Sequence, residues 1–472
     1  MPAVIRRRGG VRGGFAVVTA VIVTTAWLPL VDAATAGHAS ILVAGVLTSA
    51  FTTGTTEGRV EEQALTALLA AMGNKRQYHP LHRGAVVKWP PTEVELHECE
   101  VLPTEALVVV ARHGQRFPSK SKLAKYIRPL IAESLSGKEA SFAAWANDAQ
   151  ADVCFSDSNA ELLHPVGAEE LKQLGRELAA WVIEVAEAGG AASGEAEVRL
   201  ASSPKQRCRD SCTSLADGLR QDAEHHGVKV TFQHSTEESV ALQQYKHCPL
   251  YQERQAAYGE PGKSFLRHWL NDRHTEQHLP LPHSAVSSDS DSGSDASDST
   301  NKANNLTMKQ RLYFACQAHY SCYGAEASVS YLPCRLSAGP FGELVEDFSN
   351  YFKRGPASRL EDSDNVAMWL GVPLLRRLES ALTSGGSHIW CTHDTVLFPL
   401  LTLLDLFQLG SVPERSNASR LMPMASRLVI RRVAGGRVCA HYNGRLVATA
   451  MGNSEWWGHA GTWMDRCASD EL

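Results

Sequence analysis

The sequence predicts an α/β fold: a largely parallel sheet flanked by helices, with a second, mainly helical insertion subdomain. Three observations carry this prediction. Strand-like apolar runs begin at Ala106, Val198 and Ile389, and each leads through a short polar loop into a helix-like stretch. The chain has 472 residues, 44% of them hydrophobic, which is enough for a large core wound around a sheet. Mainly helical stretches, about 136–192 and 241–340, lie between these units and predict the insertion.

The elements follow in chain order. Arg6, Arg7, Arg8 and Arg12 precede an apolar run from Phe15 to Leu30, and Val31-Asp32-Ala33 and Ala34-Thr35-Ala36 follow it. A basic head, a short apolar stretch and an Ala-x-Ala-like exit predict a secretory signal peptide over residues 1–33. The alternative is an uncleaved anchor, because residues 40–51 are also apolar. Membrane attachment is expected only in that case, since no other run approaches the ~20 apolar residues a span needs. The main domain is expected over residues 60–472.

Ala106 to Ala111 reads Ala-Leu-Val-Val-Val-Ala, a run that fits a strand buried on both faces. A helix is expected after it from Ser119 to Ser134. Val198 to Ala201 follows the turn-like Ser193-Gly194 and precedes a helix expected from Arg209 to Gln221. Ile389 to Thr392 follows Gly385-Gly386 and precedes a helix expected from Val396 to Gln408. Residues 284–305 are rich in Ser and Asp, cannot bury apolar area, and are expected as a disordered, solvated loop.

The formal net charge of −5 argues against a nucleic-acid or membrane-surface partner, since both need a basic field. Eleven cysteines lie between Cys99 and Cys467 without zinc-like Cys/His spacing. In an oxidising lumen they predict several disulfides and one odd thiol. Cys99 precedes the first strand and Cys439 lies in the C-terminal part expected to pack near it, so these two are expected to pair. The sequons at Asn305 and Asn417 fit that compartment. The final Ser469-Asp470-Glu471-Leu472 is similar to a retrieval signal, which predicts a retrieval receptor as partner and the endoplasmic reticulum lumen as location.

In open α/β sheets the site lies beyond the carboxyl ends of the strands. Arg112-His113-Gly114-Gln115-Arg116-Phe117-Pro118, Ser202-Ser203-Pro204-Lys205-Gln206-Arg207 and His393-Asp394-Thr395 stand there. Phosphoryl transfer needs an in-line nucleophile, dense positive charge on the nonbridging oxygens, and an acid for the leaving oxygen. A neutral His ring can take the phosphoryl group. Arg is the natural clamp because its planar fork matches phosphate. This chemistry requires no metal and no cofactor. Lys120, Lys122 and Lys205 are candidates for the further phosphates of a small, multiply phosphorylated substrate.

Arg112-His113-Gly114-x-Arg116-x-Pro118 resembles the signature of the histidine acid phosphatases. Ser202-Ser203-x-x-x-Arg207-x-x-x-Ser211 and His393-Asp394 resemble that superfamily's middle and late motifs. The resemblance implies that His113 is the nucleophile, that Arg112, Arg116, Arg207 and His393 hold the phosphate, and that Asp394 protonates the leaving oxygen. Met72-Gly73-Asn74-Lys75-Arg76-Gln77-Tyr78, Lys120, Arg207-Cys208 and Phe348 to Gly355 are similar to the multiple inositol-polyphosphate phosphatase branch. That branch implies inositol polyphosphates such as phytate, and bisphosphoglycerate, as substrates. It usually reads His-Ala-Glu at the late motif, whereas this chain has His393-Asp394-Thr395, so the donor is one methylene shorter and one residue nearer the His.

The alternative reading is a broad acid phosphatase or a phosphatase acting on a glycan sugar phosphate. A phosphohistidine mutase and a non-catalytic phosphate-binding protein fit less well, because the Arg116-x-Pro118 continuation and every expected catalytic residue are present.

Overall fold

A computed structural model of the chain describes residues 91–137, 140–190, 194–235, 242–253, 296–337, 366–404, 406 and 422–451. The segment 1–33, the run 40–51, Asn417, Cys467 and the terminal Ser-Asp-Glu-Leu lie outside the described residues. So do Met72 to Tyr78 and Phe348 to Gly355. The elements used below are, in chain order, α1 (Glu93–Val101), β1 (Thr104–Arg112), α2 (Arg128–Ser136), α3 (Ala140–Ala151), α4 (Pro165–Ala188) and β2 (Glu195–Ser202). They continue with α5 (Gln206–His225), β3 (Lys229–His234), α6 (Ala296–Val329), α7 (Val366–Ser384), β4 (Gly386–Thr392) and α8 (Asp394–Leu403). The last three are β5 (Arg427–Val433), β6 (Arg437–Tyr442) and β7 (Arg445–Met451).

The seven strands form one mixed sheet in the order β3-β2-β4-β1-β5-β6-β7. The β3-β2-β4-β1 half is parallel, and β5, β6 and β7 add to it antiparallel. The three expected strands are β1, β2 and β4. The antiparallel half was not among the expected elements, although its last hairpin turns on Asn443-Gly444, both at positive φ. That dipeptide is a strong hairpin signal.

β1 is buried on both faces because helices cover both. Ala106, Val108 and Val110 join the core under α7 and α8, while Leu107, Val109 and Ala111 join the core under α4 and α5. Burial of each of its Val and Leu side chains stabilises the sheet by roughly 1.5–3 kcal/mol. A third cluster is helical: Leu123, Ile127 and Leu130 pack with Trp145, Phe155, Leu312 and Ala315. Disulfides Cys154–Cys322 and Cys316–Cys334 staple it. α6 in this cluster breaks at Gly324, where φ is 82°.

Four expectations need correction. The helix α4, read as part of the 136–192 insertion, packs on the sheet through Leu171, Leu174, Leu178 and Val182. Helical periodicity marks an apolar face but not the layer that face meets. Residues 296–305 of the Ser/Asp-rich segment are the first turns of α6. Extending a helix costs little once its packed turns have nucleated it; residues 284–295 lie outside the described residues. The helices α5 and α8 start earlier than expected, at Gln206 and Asp394. Their first turns begin inside the strand–loop motifs, at polar residues that carry no apolar periodicity. Finally, among the described residues three thiols are unpaired rather than one: Cys208, Cys212 and Cys391 are buried beside the ends of β2 and β4. Burial pushes the Cys208 thiol up to about 12, so it stays protonated and unreactive.

Cys99 and Cys439 form the expected bridge. It ties α1 to β6, and Arg431 and Arg437 reinforce the joint by holding the Cys99 carbonyl and the Glu95 and Glu98 carboxylates. The bridge closes a loop of 340 residues. The double substitution Cys99→Ser/Cys439→Ser should therefore lower stability by about 2–5 kcal/mol. Denaturant unfolding reads this; an unchanged midpoint in the variant would show that the joint holds without the bridge.

Candidate active site

The strand register brings the three motifs together. Arg112 at the end of β1 pairs with Thr392 of β4, and Ser202 of β2 pairs with Cys391. The ladder continues one residue into the loops, since His113 N donates to Thr392 O at 2.9 Å and Ser203 N to Cys391 O at 3.0 Å. His113, Ser203 and His393 therefore leave the sheet at one level.

Gly114 is required by close approach. A Cβ there would overlap the backbone of Gly167 in the first turn of α4, and one on Gly167 would overlap the backbone of Gln115. The His164-Pro165-Val166-Gly167 segment thus serves packing. Gly114 N donates to Ser211 Oγ at 3.1 Å, which links the signature loop to α5.

His113 is buried, and its Nδ1 lies 2.8 Å from the Gly114 carbonyl. A carbonyl only accepts, so Nδ1 carries the proton and Nε2 keeps its lone pair. Burial holds the ring well below the ordinary histidine range, and the charges of Arg207 and Arg112, then His393 and Arg116, add to this. The result is a neutral imidazole with a free ring nitrogen among cations.

Arg112 is 1% exposed. Its Nη1 donates to Met422 O at 2.7 Å and its Nη2 lies 3.3 Å from Asp394 Oδ2. Arg116 is held down to about 10 by burial and by Arg207 and Arg112, with Asp394 and Glu161 opposing. The Nε atoms of Arg116 and Arg207 are buried with no hydrogen bond to the protein. Three guanidiniums thus face one buried carboxylate, which is the field a phosphate dianion needs.

His393 caps α8, and Asp394 is its first residue. Arg207 Nη2 lies 3.5 Å from His393 Nδ1 and Ser203 Oγ lies 2.9 Å from Nε2. A guanidinium only donates, so Nδ1 accepts and Nε2–H points to Ser203. Burial, then Arg207, pushes His393 down to about 3, with Asp394 opposing. The rings of His393 and His113 meet edge to face at 5.4 Å.

The structure thus brings together His113, Arg112, Arg116, Arg207, His393 and Asp394. Lys120 and Lys205 are exposed, and among the described residues no hydrogen bond or ion pair ties either to the cluster. Lys122 donates to Gln317 and lies over the Phe314 ring. Sequence reasoning missed the Met422 carbonyl, the Ser203 hydroxyl as the partner of His393, and Tyr245, whose ring meets His393 edge-on at 6.2 Å. Ser203 sits inside a quoted motif and could have been found; Tyr245 had no sequence signal.

With this geometry in hand, a family model described as "Histidine phosphatase superfamily (branch 2)" matches residues 105–443. The chain belongs to this superfamily. Membership supports phosphatase activity. No curated protein matches the sequence. Among solved structures, the phytase from D. castellii is 13% identical, with 86% of this chain and 88% of that chain covered and a TM-score of 0.56. That likeness shows the histidine phosphatase fold. The Bifidobacterium longum multiple inositol polyphosphate phosphatase, in complex with inositol hexasulfate, is 13% identical over 81% of this chain and 93% of that one, with a TM-score of 0.49. The Klebsiella sp ASR1 phytase is 16% identical over 78% and 98%, with a TM-score of 0.39.

The depressed His393 sets a pH dependence. An unfolded His titrates near ~6.5, whereas His393 in the fold titrates at about 3. Between these values the unfolded chain binds a proton that the folded chain does not, so this contribution to stability is lost as pH falls from 6.5 towards 3. The ligand-free protein should lose stability between pH 7 and pH 4, and His393→Asn should flatten that slope. Denaturant midpoints across the range test this; an equally steep variant would contradict it.

Proposed function

We propose that the protein hydrolyses phosphomonoesters through a phosphohistidine at His113. Its preferred substrates in this reading are inositol polyphosphates such as phytate, with bisphosphoglycerate also in range. One observation carries the proposal: the His113 Nδ1 contact with the Gly114 carbonyl leaves Nε2 as a neutral nucleophile among three guanidiniums.

In this mechanism Arg112, Arg116 and Arg207 hold the nonbridging oxygens. His113 Nε2 attacks phosphorus, the P–O ester bond breaks, and the Asp394 carboxyl gives its proton to the departing alkoxide. Asp394, now a carboxylate, takes a proton from water as that water attacks the phosphohistidine. The P–N bond breaks, phosphate leaves, and His113 returns neutral. His393–H can donate to a phosphate oxygen once it exchanges its bond to Ser203. The disulfides, three of them between described residues, suit an oxidising compartment, which supports placing this work in the secretory pathway.

A second reading is a broad acid phosphatase or glycan sugar-phosphate phosphatase. The observation in its favour is that Lys120 and Lys205 are exposed and, among the described residues, make no hydrogen bond or ion pair to the cluster, so neither forms a built subsite for a second phosphate. Phosphate release from phytate, p-nitrophenyl phosphate and a phosphoxylose glycan separates the two. Preference for phytate supports the first, and preference for the glycan the second.

His113→Ala should abolish turnover, and labelled phosphate should be trapped on the wild type as an acid-labile, base-stable adduct. Near wild-type activity in the variant would sink the mechanism. Asp394→Asn should cripple phytate hydrolysis by ~10²–10⁴-fold while sparing p-nitrophenyl phosphate, whose leaving group departs without a proton. Equal loss on both would mean that Asp394 only positions Arg112 or the phosphate.

A further inference from the structure

A second basic cavity lies away from the catalytic loops. On the face of the sheet covered by α7, Arg199 of β2 pairs with His388 of β4. Their side chains share that face with Ala201 and Trp390, two residues further along each strand. The cavity has a volume of about 370 Å³ and is lined by Arg199, Arg377, His234, His388, Ser380 and Ser384, among others. Arg377, Ser380 and Ser384 sit three and four residues apart, so they line one side of α7. His388 precedes His393 by five residues along the strand, which separates the cavity from the catalytic ring by about 16 Å.

Among the described residues, no carboxylate lines the cavity. In a chain with 51 acidic against 46 basic residues, that is a local departure from the average surface. Among the described residues, Arg199 and Arg377 make no side-chain hydrogen bond or ion pair. A guanidinium fork with its donors unused, beside a second one, with imidazoles and hydroxyls around them, suits oxyanions rather than a metal or an apolar group. The volume falls in the range of small-molecule sites and exceeds what one phosphate fills.

We propose that this cavity is a second anion site that binds a polyanion bearing several phosphate or sulfate esters on a small polyol. It does not take part in the reaction at His113 and stands independently of it. Titration calorimetry of the full chain with myo-inositol hexasulfate tests the assignment. The cavity event is defined as the one lost in Arg199→Ser/Arg377→Ser, so the result does not depend on what the catalytic pocket binds. The double variant should bind hexasulfate with one event fewer than the wild type, and its turnover of p-nitrophenyl phosphate should be unchanged. Arg199→Ser alone should weaken that event at least tenfold, as expected for one charge-assisted contact. Identical isotherms for wild type and double variant would overturn the site. A parallel titration with inorganic phosphate separates a polyanion from a single ion. The polyanion should bind the cavity at least a hundredfold more tightly, and equal affinities would overturn the polyanion assignment.

Discussion

The parallel register of β1, β4 and β2 is the constraint on which the site depends. Arg112 stands opposite Thr392, and Ser202 opposite Cys391, so three separate loops begin their turns at one height. A slip of one residue in β1 would move Val108 and Val110 to the other face. It would also carry His113 away from the Thr392 carbonyl. The apolar alternation that fills both cores is therefore the same feature that aims the catalytic loops. Precision at the site comes from strands rather than from the loops themselves.

That rigid frame holds a charge arrangement that is unfavourable by itself. Arg207 and Arg112 help to hold Arg116 below its usual range, and all three help to depress His113. Asp394 and the Met422 carbonyl partner the Arg112 guanidinium. Arg116 and Arg207 keep buried Nε donors that no protein group accepts. Such a site is destabilising in the free fold and becomes favourable when an anion enters, the pattern expected where stability is given up for function. The buried core of β1 and the long-range bridge Cys99–Cys439 supply the compensation elsewhere.

Much of this was legible in the sequence because chemistry and periodicity coincide. The run Ala106 to Ala111 fits a strand buried on both faces, and Arg112 to Pro118 stands at its end. Ile389 to Thr392 and His393-Asp394 repeat the pattern. What escaped had a different origin. β5, β6 and β7 are short strands whose apolar runs are broken by Arg431, Arg432, His441 and Thr449, and the Asn443-Gly444 turn that announces them carries no chemistry. α4 has clear periodicity, yet its partner layer is a tertiary fact. The Met422 carbonyl serves Arg112 across 310 residues of sequence, and a backbone group leaves no trace in residue type. The three free thiols were invisible to parity counting, which assumes that every possible pair forms.

The layering also divides the surroundings of His113. His113, the neighbouring guanidiniums and the late His-Asp pair all rest on the sheet. The helical cluster meets the signature loop through different groups: Phe117 packs into it, Gln115 donates to the Ser321 carbonyl, and Arg116 bridges to Leu163. Residues at this junction, including Lys122, Gln317 and Ser321, line the space beside Arg116. The disulfides Cys154–Cys322 and Cys316–Cys334 brace the helical side of that junction. A change there can reshape what reaches His113 without moving the register that aims it. The superfamily is therefore readable from three short motifs at the strand ends, whereas the walls of the space beside Arg116 come partly from a subdomain whose residues carry no motif of their own.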